Sequence, residues 1–206
     1  MFAQLKAELA SRSLQVAAFW RLIDNLEAAE LSSRQAEPSL RTLKGLIFVH
    51  FYSVYEYVVV ESFACLVRQF NSHALTFAQI KRTMLAIGFS NAFKSLKDLS
   101  ERRSWESKIE LFQTAESLQP VQLAGDSFPR DESHFRNAQL DTICSILDLP
   151  PNALIPAPRF IGWIREVVEN RNSIAHGRET AETVGSRYSS PDLDRRRAEL
   201  DQLCNH

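Results

Sequence analysis

Glycine is scarce in this chain, six residues in 206. So few flexible joints cannot supply the many tight turns that a β-sandwich or barrel of this length needs. A charge surplus is lacking too, with 24 Lys and Arg against 25 Asp and Glu. That balance excludes a histone-like nucleic-acid coat, which displaces counterions with a large positive excess. It leaves room for an enzyme that grips a few phosphates in a local basic pocket. The three cysteines, Cys65, Cys144 and Cys204, lie far apart with no CxxC or Cys/His partner. They predict reduced thiols in a reducing compartment and no zinc knuckle. No apolar run reaches the ~18 residues of a membrane span. Charges also interrupt what would be a signal peptide's apolar region, so the expected location is the cytoplasm, with no membrane partner. HExxH, a Gly-rich phosphate loop and GxSxG are all missing, which removes the zinc protease, P-loop NTPase and α/β-hydrolase readings. No metal and no cofactor is expected.

What the chain does contain is helix formers and apolar residues, the latter 45% of the whole. The expected fold is all-α: a single helical domain over 1–206, with long antiparallel helices and additional short ones. Leu5, Leu9, Val16, Phe19, Ile23 and Leu26 keep three-to-four spacing and predict a helix from residue 2 to about 31. The stretch SSRQAEPS breaks it, and Pro38 suits the start of a second helix. That helix, Ser39 to Phe70, is the most apolar segment, and its centre is rich in β-branched and aromatic residues. A strand is usually ~5–6 residues long, so the length decides for a helix. Phe48, Tyr52, Tyr55, Val59, Phe63, Leu66 and Phe70 share one face, and apolar residues on nearly every side imply a central helix.

Shorter amphipathic pieces are expected over Phe77–Ile87, capped by Gly88, and over Ser104–Leu118. Residues 120–130 read as a loop. A further helix begins after Asp131 or Ser133 and ends before Pro150, where LPPNALIPAP is a connector. The next begins near Pro158 and carries Phe160, Ile161, Ile164, Val167 and Val168 toward Arg171. Gly177 marks an ending or bend. Pro191 opens a charged final helix, in which Arg195, Arg196 and Arg197 lie among acids and read as a solvated face with local ion pairs.

The segment VVENRNSIAHGR, 167–178, stands apart. It places Arg171, Asn172 and His176 within six residues, directly after an apolar helical face. A histidine moves a proton near neutral pH. An arginine holds phosphate oxygens with two donors and keeps its charge. An asparagine can orient either of them or bind a substrate oxygen. These groups suffice to cut RNA by internal attack of the 2′-hydroxyl, in which a base removes a proton and a cation steadies the charge building on phosphorus. Positions five apart on an ideal helix differ by ~140° around its axis. Arg171 and His176 therefore meet only if the helix bends near Gly177 or if two copies pair across a symmetric cleft. A plainer reading stands beside this one: a helix ending in His-Gly is an ordinary C-terminal signal.

RNSIAHG, following FIGWIREVVE, resembles the signature of HEPN domains (higher eukaryotes and prokaryotes nucleotide-binding): an arginine, a polar residue that is often Asn, three more residues and a histidine. The likeness extends to VHFYSVYEYVVVESF, with Glu56 in an aromatic setting, and to RNAQLDTICSILDLP. It covers roughly residues 40–206, with 1–36 left as an N-terminal helix. The resemblance implies a helical bundle that dimerises with its motifs facing. It also implies metal-independent RNA cleavage, often by a toxin or phage-defence effector with a cognate antitoxin. In those terms Arg171 binds the scissile phosphate, His176 is general base or acid, and Asn172 positions substrate or the catalytic pair. Some HEPN domains have lost catalysis and serve as RNA-binding or assembly modules, which is the alternative function. Glu56 is the supporting candidate, because a carboxylate in an apolar helix needs a partner. It could anchor Arg171, orient His176 or form a structural ion pair. His50 lies six residues earlier and on another face, and His73, His134 and His206 read as surface histidines.

Overall fold

The computed structural model describes residues 2–30, 37–96, 99–123 and 135–206. Among them the secondary structure is helical: α1 (Phe2–Glu30), α2 (Glu37–Ser72), a 3-10 turn (Arg82–Met84), α3 (Leu85–Gly88), α4 (Ser90–Leu96), α5 (Glu101–Glu116), α6 (Asn137–Ile146), α7 (Arg159–Ala175), α8 (Ala181–Gly185) and α9 (Ser190–Cys204). No strand occurs among the described residues; one isolated bridge joins Thr76 to Pro120. The chain forms two compact units, one of residues 1–59, 134–137 and 154–206, the other of 60–133 and 138–153.

In the first unit three contacts run in opposite order along α1 and the first part of α2. Arg12 lies 3.9 Å over the Tyr57 ring, Phe19 meets His50 at 4.5 Å between centroids, and Lys44 Nζ donates to Glu27 at 2.8 Å. The pair is antiparallel. Lys44 is only 7% exposed, and the Glu27 carboxylate, which also accepts from the Ser190 hydroxyl, is what makes a buried ammonium tolerable. Burial pushes Glu27 up, but the Lys44 and Ser190 hydrogen bonds and the Lys44 charge outweigh it and hold the carboxyl below its ordinary value. α7 runs antiparallel to α9: Arg159 donates to Gln202, and Trp163 Nε1 donates to the Arg196 carbonyl at 3.1 Å. Arg196 also reaches Glu166 and Glu199, while Arg195 and Arg197 pair with Asp192 and Asp194. The arginine run is thus the ion-paired face its pattern suggested. The core between α2, α7 and α9 holds Phe48, Phe51, Tyr55, Phe160, Val167 and Leu193, all buried.

α2 is long and apolar enough to cross a membrane by length and composition alone. Its first half is a core helix in this fold, with Ile47, Phe48, Phe51, Tyr52, Val54 and Tyr55 all buried. Tyr55 meets Trp163 edge-on at 6.2 Å, and Phe48 meets Tyr188 at 4.7 Å. The sequence did not suggest that α2 and α8 touch backbone to backbone, at Gly45 and Gly185.

In the second unit, Phe63, Cys65 and Val67 of α2 are buried, as are Met84, Ile87, Val121, Ile143 and Cys144. The helix expected over Phe77–Ile87 forms only in its second half, as the 3-10 turn and α3. The Thr76 amide donates to Gln79 Oε1 at 2.9 Å, and the Val121 amide donates to the Leu75 carbonyl at 2.7 Å. Asn71 brackets Leu123, accepting from its amide and donating to its carbonyl, both at 2.9 Å. These bonds tie residues 71–79 to residues 121–123 and hold them in a turn. Helix begins only at Arg82, and the cap after α3 is Phe89 rather than Gly88. α4 was not foreseen, and α5 covers most of the expected 104–118 helix. The expected break at 31–36, most of the 120–130 loop, the start of the next helix at Asp131 or Ser133, and His134 lie outside the described residues. All three cysteines are unpaired thiols.

Candidate functional site: the end of α7

α7 is amphipathic, and its buried face of Phe160, Ile164, Val167 and Val168 fixes how the helix rolls against the core. That roll sets where Arg171 and Asn172 stand. Asn172 is 4% exposed, and its Oδ1 accepts from Arg171 Nη1 at 3.1 Å. The Arg171 guanidinium lies over the Tyr52 ring, 4.9 Å from its centroid, within the range of a cation–π attraction. Tyr52 is itself buried on α2. Burial, then the neighbouring Glu56 charge, push its phenol up to about 12, with the Phe135 backbone and Arg171 pulling the other way and a Glu56 hydrogen bond adding to the rise. Tyr52 is therefore a neutral phenol at any physiological pH. Arg171, Asn172, Tyr52 and Glu56 form one connected group.

Glu56 enters that group through Tyr52, one helical turn earlier on α2, which neither the anchor nor the ion-pair reading had named. The signal was present as a tyrosine four residues before a carboxylate on an apolar helix, where i and i+4 side chains meet. A second pair was missed as well. Buried Asn170 donates to the Tyr188 hydroxyl at 2.8 Å, tying α7 to the segment before α9.

His176 is the residue just beyond α7, and it is exposed. Its amide donates to the Asn172 carbonyl at 3.0 Å, as a helical residue's would. Gly177 follows at φ 66°, the left-handed conformation that glycine adopts without strain. The Gly177 amide bonds to the Ile174 carbonyl at 3.1 Å and the Arg178 amide to the Ser173 carbonyl at 2.9 Å. Together these bonds make a Schellman cap. Gly177 is thus the ordinary helix stop that the sequence allowed. Every bond of that cap is backbone to backbone, so the cap places no demand on the side chain at 176. The bend also comes after His176, too late to swing it toward Arg171. On an ideal helix the two positions differ in azimuth by ~140°.

Glu179 pairs with Arg187 beyond the turn, which ties the residues after His176 to those after α8. His50 meets the Phe19 ring at a tilt, and burial depresses its pKa. His73 and His206 are exposed. No group of three or more His, Cys, Asp or Glu side chains with metal-binding placement occurs among the described residues.

A helical domain that ends one of its core helices in Arg-Asn-x3-His has the architecture and signature of a HEPN domain. The family model described as MAE_28990-like HEPN matches residues 1–205, and the chain belongs to that family. HEPN domains are commonly of the ribonuclease type. No curated protein and no solved structure matches the chain.

Proposed function

We propose that this chain is a metal-independent endoribonuclease that cuts single-stranded or looped RNA as a homodimer, with the ends of two α7 helices facing each other. The observation that supports this most is the division of labour at the helix end. Arg171 is held from two sides, by the Tyr52 ring and by Asn172 Oδ1, whereas His176 is displayed on an exposed turn. A cation fixed in place suits a phosphate whose charge grows in the transition state. An exposed imidazole suits proton transfer.

In this reading His176 removes the 2′-hydroxyl proton. The 2′-oxygen then attacks phosphorus, and the bond to the 5′-oxygen breaks. A solvent water gives a proton to the leaving 5′-oxygen, and the His176 imidazolium returns its own proton to solvent. The products are a 2′,3′-cyclic phosphate and a free 5′-hydroxyl. Arg171 binds the non-bridging oxygens. Asn172 is a positioning residue, since its side chain is buried and engaged with Arg171. The setting that fits such an activity is a toxin or phage-defence effector restrained by a cognate antitoxin.

The test is RNA cleavage in the presence of chelator by wild type, Arg171→Ala and His176→Ala. Wild type should cleave and each variant should lose at least a hundredfold. Mixing the two inactive variants should restore roughly a quarter of wild-type activity. Half of randomly assorted dimers are mixed, and each of those carries one cleft with both groups intact. Cleavage that resists either substitution refutes the site. Binding of RNA without cleavage by wild type points instead to a non-catalytic module. Failure of the mixture to recover, with single variants dead, refutes the shared cleft alone.

A further inference from the structure

α5 buries none of its residues. On its outward side Trp105 is 60%, Ile109 56% and Phe112 75% exposed, and they follow one another at four- and three-residue steps. Such spacing makes a continuous apolar stripe along one face. Single exposed apolar residues need no explanation, but two large aromatics flanking an isoleucine on one helix mark a surface built to be covered.

The geometry of the stripe points to its occupant, and we propose that it pairs with the same stripe of a second copy, antiparallel, about a two-fold axis beside Ile109. The polar neighbours select this arrangement. Taking ~100° per residue, Trp105 and Phe112 fall on one side of Ile109, and Glu106 and Gln113 on the other. Antiparallel pairing about Ile109 sets Trp105 of one copy against Phe112 of the other. Glu106 then meets Gln113, and Arg102 at one end meets Glu116. Parallel pairing would oppose Arg102 to Arg102 and Glu116 to Glu116, which is repulsive.

An anionic membrane surface fits this helix less well. Arg102, Arg103 and Lys108 are outnumbered by Glu101, Glu106, Glu110 and Glu116, whereas helices that lie on such surfaces carry a basic polar face. From the exposures above and ~150–250 Å² for a fully buried aromatic, two stripes would remove roughly 800 Å² from water. That is below the ~1,200 Å² of a standard interface, so the association is weak and reversible. If the chain already pairs through α7, the α5 contact joins dimers.

Disulfide trapping tests this independently of any nuclease activity. Ile109→Cys places a thiol beside the two-fold axis, and Arg103→Cys is an exposed control off the stripe. Under a mild oxidant, the Ile109→Cys chain should form a covalent dimer at least tenfold faster than the control or the wild type. Trp105→Glu or Phe112→Glu, added to Ile109→Cys, should abolish that advantage while the helical circular dichroism is unchanged. In sedimentation at one concentration, the wild-type chain should reach a larger mass than the Trp105→Glu chain. Equal cross-linking rates at 109 and 103, or an advantage that survives both glutamate substitutions, overturns the proposal.

Discussion

Gly45 and Gly185 offer the sharpest test of the fold beneath the site. A Cβ on Gly45 would lie 2.7 Å from the carbonyl carbon of Ala181, and one on Gly185 would lie 2.9 Å from that of Arg41 and 2.6 Å from the Gly45 amide nitrogen. These neighbours are backbone atoms of packed helices, so no rotamer change can make room. Gly45 sits inside a long helix, where replacement by alanine is otherwise favourable by up to ~1 kcal/mol. Overpacking costs typically ~1–3 kcal/mol, and a rigid backbone contact belongs at or beyond the top of that range. Gly45→Ala should therefore destabilise by about 2 kcal/mol after the helical gain is deducted. For a chain of this length each kcal/mol moves the midpoint by roughly 2–4 °C, so the expected loss is about 4–8 °C. Urea unfolding should show the same loss in midpoint with an unchanged slope. Gly162, also helical, has no atom near its would-be Cβ, and Gly162→Ala should leave the midpoint equal or higher. A Gly45→Ala chain as stable as wild type would falsify the close crossing of α2 and α8.

Three further outcomes follow from the same contacts. Tyr52→Phe keeps the ring beneath Arg171 but loses the hydroxyl near Glu56; cleavage should stay within about threefold of wild type while stability falls by ~1 kcal/mol, and a loss as large as that of Arg171→Ala would show the phenol to be more than a support. Glu27→Ala strands the buried Lys44 ammonium and should cost about 2 kcal/mol in chemical unfolding, whereas Lys44→Met, which leaves Glu27 able to meet water, should cost less than ~1 kcal/mol; equal costs would refute the asymmetry. His50 has a depressed pKa in the folded state, so the unfolded chain binds the extra proton first. Stability should be full above about pH 6.5 and decline as pH falls below it. The carboxyl of Glu27, also held low, contributes in the same direction at lower pH. Unfolding midpoints measured from pH 8 to 5 should lose that upper part of the decline in His50→Phe.

The long elements were legible because their patterns are long. α1, α2, α7 and α9 carry many turns of apolar spacing or a proline at the start, and the structure ends them within a few residues of the sequence reading. The late start of the helix expected over Phe77–Ile87 has a local cause. Apolar spacing there competes with Asn71 and Gln79, whose side chains bond the backbone of residues 123 and 76, and such bonds leave no trace in a periodicity. Gly185 shows the same limit from the other side. In the sequence it sits in a polar stretch, yet it is the end of α8 and a contact point with α2. The Arg171–Asn172–His176 spacing was legible, and so was the difference of azimuth. That Arg171 rests on Tyr52 was not, because it depends on how α2 and α7 roll against each other.

That roll bears on why the Arg171 and His176 side chains of the motif differ in their surroundings. A guanidinium free to rotate would have to be ordered by the substrate, at the expense of binding. Stacked on a buried ring and bonded to a buried amide, Arg171 has that ordering done in the folded chain. In the proposed reaction the imidazole moves a proton, and His176 is exposed. A helix end provides both conditions two turns apart at most: Arg171 still faces the core side of α7, while His176 rides on the cap. On an ideal helix those two positions point ~140° apart. A second α7 end, turned about a two-fold axis, is the simplest way for one copy's histidine to approach the other's arginine, because symmetry supplies the missing ~140° without straining either helix.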